Sequence, residues 1–298
     1  MDKRPAEDFN PEDPEPGIYE DVPMEHYVPA NALGSGQMST MLGGPANFLH
    51  EQEKENTESE AAKEGTAIHA LSIEGVLAYK AQYGVFDGDR RTKAGKVAYK
   101  EVLDSGLIPL KPEQAEMIGQ CAATIETHPE VQRIQAMATG RELTVVWMEP
   151  VEVGPSDIRP LKCKCRFDWV GETWGADLKT LAPPRFGSKT FRDAIPGLIE
   201  ERRWYVTVPY YMRGFLSAFG KPCSDFYLVL ARRGAGYEHE VVRLSHRDLT
   251  LGNETVSSLL RDIVLCDAAG EYPATTGLVQ DVELGKWARE RAEGRIRD

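Results

Sequence analysis

Two aspartates and a lysine in the middle of the chain have the residue types and spacing for chemistry on a phosphate. Asp168 lies in the stretch CRFDWV, and Asp177 and Lys179 follow in WGADLKT. Two carboxylates held close together raise each other's proton affinity unless a cation neutralises them, and oxygen ligands suit Mg²⁺ or Mn²⁺. An ammonium beside them can hold a phosphate oxygen and stabilise an attacking hydroxide. The alternative is a solvated strand face with an incidental charge pair, which is the commoner meaning of an isolated D-x-K.

A hairpin of two strands must position these three side chains. If residues 171–172 form a two-residue type II′ loop, Asp168 faces Gly175 across the hairpin. Asp168 and Asp177 then become diagonal neighbours on one face, together with the lysine, within reach of one bound ion. The opposite face is predicted to be apolar and to carry Cys165, Phe167, Trp169, Trp174, Ala176 and Leu178.

A helix upstream of the hairpin contains a candidate histidine ligand. The stretch EAAKEGTAIHALSIEG is predicted to be helical and to end near Gly75, with Gly65 one turn before His69 on the same side. For a helical histidine considered alone, packing in the core is the more frequent role.

The order of elements predicts the fold class. From Glu142 onward the pattern changes to strands, in ELTVVWME, LKCKCRFDWV, TWGADLKT, DFYLVLARR and HEVVRLS, with a helix inserted before the last two. We therefore expect an α/β (α+β) fold in which helices flank a central mixed sheet.

The combination of motifs resembles the PD-(D/E)xK nuclease superfamily. CRFDWV followed by GADLKT is similar to its D…(D/E)-x-K core, and EGTAIHALSIEG resembles the G-T-x-x-H helix that supplies a histidine metal ligand in exonuclease members. Four further segments resemble the exodeoxyribonuclease VIII (RecE-like) branch of phages and prophages: GIYEDVPMEHY, GGPANFLHE, GDRRTKAGK and YPATTGLVQDVELGKWARE. The resemblance extends from about Gly17 to about Arg289 and implies a restriction-endonuclease-like core.

The resemblance implies a role for each residue of the motifs. His69, Asp168 and Asp177 would be metal ligands, with the carbonyl of Leu178 completing the set. Lys179 would be the catalytic lysine beside the catalytic carboxylates Asp168 and Asp177. The implied cofactor is Mg²⁺, with Mn²⁺ as a substitute.

The resemblance also implies an activity. A RecE-like enzyme digests double-stranded DNA ends from 5′ to 3′ and leaves 3′ single strands for an annealing protein. A ring-shaped homo-oligomer and, for a phage-encoded protein, the cytoplasm of a bacterial host would follow. The alternatives are an endonuclease or nickase on the same core, or a DNA-end-binding protein that has lost its activity.

Several side chains are candidate DNA contacts: Arg90, Arg91 and Lys93 in DRRTKAGK, and Glu142, Arg166, Thr180, Thr207 and Tyr211. Related nucleases carry a glutamine and a tyrosine on the helix after the lysine motif, whereas WYVTVPYY here places Thr207 and Tyr211 at those positions. Pro209 within this helix is predicted to kink it. Glu142 either supports the metal site or contacts the DNA end, or is a simple exposed glutamate at the start of its strand.

The composition is that of a globular protein, with 41% apolar and 28% charged residues in 298. Residues 1–16 are acidic and rich in proline and are predicted to form a flexible tail, and residues 17–298 to form a single nuclease domain with a helical N-terminal part. The chain has no run of about 20 apolar residues and its start does not resemble a signal peptide, so we expect a cytoplasmic protein with reduced cysteines.

The acidic balance does not exclude DNA. The net charge is −12, but residues 1–60 contain 14 acidic and 3 basic residues, which leaves −1 for the remainder. The five cysteines lack the close pairs of zinc or iron–sulfur sites, and the GSG at 34–36 lacks a phosphate-loop lysine.

Overall fold

The centre of the protein is an eight-stranded mixed sheet. The computed structural model describes residues 2–54, 59–182, 190–234, 236–274 and 289–290. Its strands are β1 (Lys3–Arg4), β2 (Gly17–Tyr19), β3 (Leu33–Gly34), β4 (Tyr83–Val85), β5 (Ile108–Leu110), β6 (Gly140–Gly154), β7 (Asp157–Val170), β8 (Trp174–Leu181), β9 (Asp225–Arg232) and β10 (His239–Val242). The sheet has the order β1-β2-β6-β7-β8-β9-β10 with β3 beside β7, whereas β4 and β5 form a separate parallel pair.

Helices cover both faces of the sheet, which confirms the predicted fold class. Within the described residues they are α1 (Met24–Tyr27), α2 (Ser35–Thr40), α3 (Pro45–Glu53), α4 (Glu60–His69), α5 (Val76–Gln82), α6 (Lys93–Asp104), α7 (Pro112–Glu126), α8 (Pro129–Met137), α9 (Phe191–Glu201), α10 (Trp204–Phe219) and α11 (His246–Ala269). A π-turn at Ala70–Glu74 follows α4 and ends at Gly75, as predicted. None of the helices in these ranges is long and apolar enough to cross a bilayer.

Two apolar clusters on opposite faces hold the sheet between the helices. The first lies under α10 and α11 and includes Trp147, Phe167 and Phe215. The second lies under α4, α7 and α8 and includes Ile68 and Trp169. Burying each such large side chain contributes roughly 1.5–3 kcal/mol, so the helices that carry the site are docked on a rigid support.

The hairpin between β7 and β8 differs from the predicted register. Val170 pairs with Gly175 and Trp169 with Ala176, and the backbone N–H of Gly171 donates to the carbonyl of Trp174 at 2.9 Å. The turn is therefore centred on residues 172–173, and each partner is shifted by two residues from the prediction. A shift of two residues preserves which side chains share a face, because the side-chain period of a strand is two. Continuing this register places Asp168 opposite Asp177, where the prediction made them diagonal neighbours.

The predicted apolar face of the hairpin is split between the two clusters. Trp169, Trp174, Ala176 and Leu178 pack in the second cluster as one set, but Cys165 and Phe167 pack in the first. The alternation of β7 therefore changes between Phe167 and Trp169. This point lies beside Glu142 of β6, whose backbone has a φ of 50°. A residue with a positive φ interrupts the regular pleat of a strand. The order of apolar and polar residues in the sequence does not indicate where such a residue lies.

Residues 2–16 are folded against the sheet, so the predicted flexible tail is corrected. β1 pairs in parallel with β2, and Phe9 is buried in a small cluster with Tyr19 and Val146. The aromatic rings of Phe9 and Tyr19 are in edge contact with centroids 5.1 Å apart. One aromatic residue, Phe9, is enough to hold this segment against the sheet. A single apolar residue forms no periodic pattern, so the sequence contains no sign of it. The single-domain boundary at residues 17–298 stays an expectation.

Pro209 lies inside a continuous helix, α10, and is buried. A proline cannot donate to the carbonyl four residues earlier, which here is that of Tyr205. Gly252 of α11 lies against that carbonyl so closely that an added Cβ atom would come within 1.8 Å of the oxygen. The proline and the glycine thus allow α10 and α11 to pack tightly under the sheet.

Candidate metal and phosphodiester site

A glycine lets α4 lie close to β8 and carry His69 into a cleft. A Cβ atom on Gly65 would come within 2.6 Å of Oγ1 of Thr180, so any larger residue would push the helix or the threonine away. The start of the helix is held by Arg233, which follows β9 and donates to the carboxylate of Glu64 at 2.9 Å. The close approach of α4 explains why glycine precedes histidine by one turn.

His69 and Asp168 form a charged pair at the centre of the cleft. Nε2 of His69 lies 2.8 Å from Oδ1 of Asp168, and Oδ2 of Asp168 accepts from the backbone N–H of Leu178 at 2.5 Å. Burial lowers the pKa of His69, but the Asp168 carboxylate outweighs it and the pKa rises to about 9. Burial raises the pKa of Asp168, but His69 outweighs it and holds this pKa below its ordinary value.

Glu142 joins this pair and is not an exposed glutamate. Its residue exposure is 5%, and Oε1 lies 3.5 Å from Nε2 of His69. Oε2 is ion-paired to the guanidinium of Arg166, whereas buried Oε1 has no hydrogen-bond partner within the described ranges. Burial raises the pKa of Glu142 to about 7, against the opposing effect of His69. The reading of Glu142 as a simple exposed strand-end residue was wrong, and the residue faces the site.

Asp177 and Lys179 form the other part of the site. Nζ of Lys179 lies 2.6 Å from Oδ2 of Asp177, and both side chains line the cleft. Burial raises the pKa of Asp177 to about 6, although Lys179 opposes this. Burial lowers the pKa of Lys179, but Asp177 outweighs it, so this pKa lies above its ordinary value and the ammonium stays charged.

The residues present fit a divalent cation. One ligand atom each from His69, Glu142 and Asp168 lies within 4.8 Å of the others. Oε1 of Glu142 is buried without a hydrogen-bond partner within the described residues, and coordination to a cation would satisfy it. Nitrogen and oxygen donors together suit Mn²⁺ as well as Mg²⁺. Asp177 is outside this set of three and is paired with Lys179 instead.

These residues line a cleft of about 590 Å³. Its lining includes four of the candidate DNA contacts, Glu142, Arg166, Thr180 and Tyr211, and also the backbone position Leu178. Two arginines that the motifs do not contain, Arg202 and Arg233, line it as well. Their contribution is visible only in the fold, because no spacing in the sequence relates them to the hairpin.

The basic stretch 90–93 lies outside the lining of the cleft. Arg90 stacks on the ring of Tyr99, with 3.9 Å from the guanidinium carbon to the ring centroid, and Arg91 is paired with Asp89 at 2.7 Å. Lys93 begins α6. Arg90 is also close enough to Glu60, in the first turn of α4, to lower the pKa of that carboxyl, after the larger effect of Lys63. The stretch therefore lies beside the helix that carries His69.

The helix α10 presents little to a substrate. Oγ1 of Thr207 donates to the carbonyl of Arg203 at 3.1 Å, within its own helix. Tyr211 packs edge-on against Phe167 and Phe226 and is 7% exposed. Tyr211 still borders the cleft, but Thr207 does not line it.

The N-terminal segment supplies a wall of the cleft that the motifs did not predict. Met24 and Tyr27 are part of the lining. The one signal for it was the resemblance of GIYEDVPMEHY to the RecE-like branch. At the other end, residues 275–288 of the resembling stretch YPATTGLVQDVELGKWARE lie outside the described residues.

Comparison with known proteins supports the fold. No protein-family model matches the chain, and no curated protein matches it. A solved structure that is similar is the crystal structure of a "Putative exonuclease" from Eubacterium rectale, with a TM-score of 0.53 and 11% identity over 89% of this chain and 94% of that chain. At this identity the likeness concerns the fold alone.

Proposed function

We propose that this chain is a metal-dependent deoxyribonuclease that hydrolyses phosphodiester bonds. The observation that carries the proposal is the group of His69, Glu142 and Asp168, whose ligand atoms lie within 4.8 Å, in one cleft with Lys179. Hydrolysis of a phosphodiester adds negative charge to a group that is already an anion, so a cation beside a fixed ammonium is the chemistry it requires. The fold shared with the Eubacterium rectale protein is consistent with this function.

The residues have distinct tasks in this mechanism. His69, Glu142 and Asp168 would hold the ion, and the family resemblance adds Asp177 and the Leu178 carbonyl. When bound, the ion would polarise the scissile phosphate and lower the pKa of a water. Lys179, whose ammonium Asp177 keeps charged, would stabilise the negative charge that develops on the phosphate.

The charged surroundings suit a nucleic-acid backbone. Arg166, Arg202 and Arg233 line the cleft, and Arg90 lies near the start of α4. The proposed path of the DNA strand runs from this basic surface into the cleft, with Arg91, Lys93 and Thr180 beside it. Phosphate contacts of this kind position a duplex without reading its sequence.

The finer assignment rests on the resemblance to the RecE-like branch. It proposes digestion of double-stranded ends from 5′ to 3′, release of 3′ single strands to an annealing protein, and a ring-shaped homo-oligomer in the bacterial cytoplasm.

One assay tests the proposed hydrolysis, its preference for ends and its polarity. Linear and covalently closed circular duplexes of the same sequence are incubated with the protein and Mg²⁺ or Mn²⁺, with separate labels at the 5′ and 3′ ends. We expect nucleotides from the linear duplex, the 5′ label first, and an intact circle. An Asp177→Asn variant of unchanged thermal melting is the control and should release none.

Other outcomes select the alternatives. Cutting or nicking of the circle would identify an endonuclease on the same core. Binding of ends without any hydrolysis by the wild type would contradict the proposed activity and indicate an end-binding protein.

A further inference from the structure

Residues 17–30, which contain α1, are called the α1 segment. This segment closes one side of the cleft and is held there by two basic side chains of β7. Lys164 and Arg166 point from the sheet to this segment. Nη1 of Arg166 donates to the carbonyl of Val22 at 2.8 Å and approaches the sulfur of Met24 at 3.2 Å. The segment is therefore tied to the strand that also carries Asp168.

Lys164 is the more unusual of the two anchors because it is buried, with 3% exposure. Its ammonium donates to the carbonyls of Tyr27 at 2.9 Å, Val28 at 3.0 Å and Ala30 at 2.7 Å. The ring of Tyr27 also lies over it, with 5.2 Å from Nζ to the ring centroid. Burial lowers the pKa of Lys164 to about 8, which shows that the charge is kept here at a cost.

A buried charge of this kind contributes specificity more than stability. An apolar side chain of similar volume is often as stable as a buried ionic group, so the ammonium is best explained by what it holds in one place. Three of its four contacts involve the backbone or the ring of Tyr27 and its neighbour Val28. The residue that Lys164 fixes most completely is Tyr27.

Tyr27 belongs to the wall of the cleft that holds the proposed catalytic groups. It lines the same cleft as Asp168, Asp177 and Lys179. Burial raises the pKa of its hydroxyl above the ordinary value, and the carboxylates of Asp177 and Asp168 add to this while Arg166 opposes it. Both aspartates are thus electrostatic neighbours of this hydroxyl, which remains a neutral donor.

The other donors at this end are already engaged. His69 is paired with Asp168, Arg166 with Glu142, and Lys179 with Asp177. In the parts of the chain that the structure describes, nothing accepts a hydrogen bond from the Tyr27 hydroxyl. The Tyr27 hydroxyl makes no bond to these carboxylates, so it can donate to an oxygen of a phosphate that enters the cleft.

We infer that Tyr27 is a substrate-contacting residue, whose hydroxyl donates a hydrogen bond to a non-bridging oxygen of the scissile phosphate, and that Lys164 is its positioning residue. This inference rests on the proposed nuclease function and adds a contact that the D…DLKT and GTxxH motifs do not contain. It also gives the segment GIYEDVPMEHY a task at the site.

The first test removes only the hydroxyl. Tyr27→Phe should lower kcat on a linear duplex about 10- to 100-fold, the range for a lost hydrogen bond to a charged group, and should leave the Kd for Mn²⁺ unchanged. Tyr19→Phe is the matched control, because it removes a hydroxyl from the same segment that bonds to the Glu15 carbonyl and does not line the cleft. Its kcat should equal that of the wild type.

The second test uses the anchor. Lys164→Met should lower kcat by a similar factor, and adding Tyr27→Phe to it should cost little more, because two changes that act through one contact are not additive. Thermal melting of each variant checks folding. If Lys164→Met does not fold, the comparison of Tyr27→Phe with Tyr19→Phe decides alone.

The outcomes separate this inference from the proposed function. An active wild type with Tyr27→Phe at the full rate overturns the inference and leaves the nuclease function standing. An equal loss in Tyr27→Phe and Tyr19→Phe would also overturn it, since the effect would then be general to the segment. A wild type that cleaves no DNA overturns both.

Discussion

The two sides of the cleft balance their carboxylates in different ways. On the cation side, defined as His69, Glu142 and Asp168, the two carboxylates meet the imidazolium of His69 and, through Oε2 of Glu142, the guanidinium of Arg166. The other oxygen of Glu142 is buried and has no hydrogen-bond partner within the described residues. On the lysine side, defined as Asp177 and Lys179, one carboxylate meets one ammonium at 2.6 Å. The first side therefore has a buried acceptor without a partner, whereas the second is a single ion pair.

This difference indicates how the work is divided. A cation gains most where a buried carboxylate oxygen has no partner, and Oε1 of Glu142 provides such an oxygen on the cation side. The lysine side gains nothing from a second positive charge, but its ammonium is ready for a phosphate. The division can be tested by the following changes, which are ordered by the size of the expected effect.

The largest separation between the two sides should come from Lys179. Replacing it with alanine should lower the rate roughly 10²-fold, the scale for removal of one preorganised electrostatic group, and leave the affinity for Mn²⁺ nearly unchanged. Calorimetric titration and single-turnover cleavage on the same preparation measure both. A variant that no longer binds Mn²⁺ would place the lysine side within the metal site and remove the distinction.

Glu142 tests the cation side. Glu142→Gln should weaken Mn²⁺ binding at least about 10-fold, because it replaces a charged ligand with a neutral amide. Glu74→Gln is the matched control, since Glu74 borders the same cleft outside the group of three ligands. Equal affinities for the two variants would contradict a ligand role for Glu142.

Gly65 tests how the cation side is assembled. Gly65→Ala places a Cβ atom 2.6 Å from Oγ1 of Thr180, so α4 must move and His69 with it. We expect Mn²⁺ affinity to fall several-fold. Gly119→Ala is the control, because a Cβ atom there meets nothing within 4 Å, and removing a helical glycine should stabilise the protein by roughly 0.5–1 kcal/mol. An unchanged Mn²⁺ affinity in Gly65→Ala would mean that the contact is not restrictive.

The smallest effect concerns pH and stability without a divalent cation. The pKa of His69 is raised from 6.5 to about 9 on folding, so its contribution is fully present below pH 6.5 and is lost as the pH rises to about 9. The melting temperature of the wild type should therefore fall by a few degrees between pH 7 and 9, and His69→Gln should show a shallower fall. In the wild type the raised pKa values of Glu142, about 7, and Asp177, about 6, act mainly below this window. His69 lowers both, so they rise further in His69→Gln, and the slopes are compared in the upper part of the window, near the folded pKa of His69. Parallel curves above pH 7 would contradict the charged state of His69.

Local patterns predicted the hairpin and its carboxylates because a strand alternates with period two. The observed register differs from the predicted one by two residues, and because this shift is even, Asp168 and Asp177 still share one face. The alternation could not predict the change of face between Phe167 and Trp169, because that depends on a positive φ at Glu142 of another strand.

Contacts between distant segments were beyond what spacing can show. The proximity of His69 to Asp168 was expected only through the family resemblance, and the structure brings the two together at 2.8 Å. Tyr27 lies in a segment that only the family resemblance indicated, and Arg202 and Arg233 belong to none of the motifs. The packing of their elements places all three at the cleft. Phe9 likewise belongs to no motif, and its burial alone shows why the N-terminal segment is folded.

The contacts that close the cleft join residues that are far apart in the sequence and are therefore synthesised at different times. Lys164 donates to the carbonyl of Tyr27, 137 positions earlier, and Arg233 donates to the carboxylate of Glu64, 169 positions earlier. Contacts of such long sequence separation form slowly, since a long loop must close before they add any stability. When β7 and β8 have already left the ribosome, Arg233, which binds Glu64 of α4, has not yet been added to the chain. If the proposed activity is correct, we expect it to be absent throughout synthesis and to appear only when these late contacts have formed.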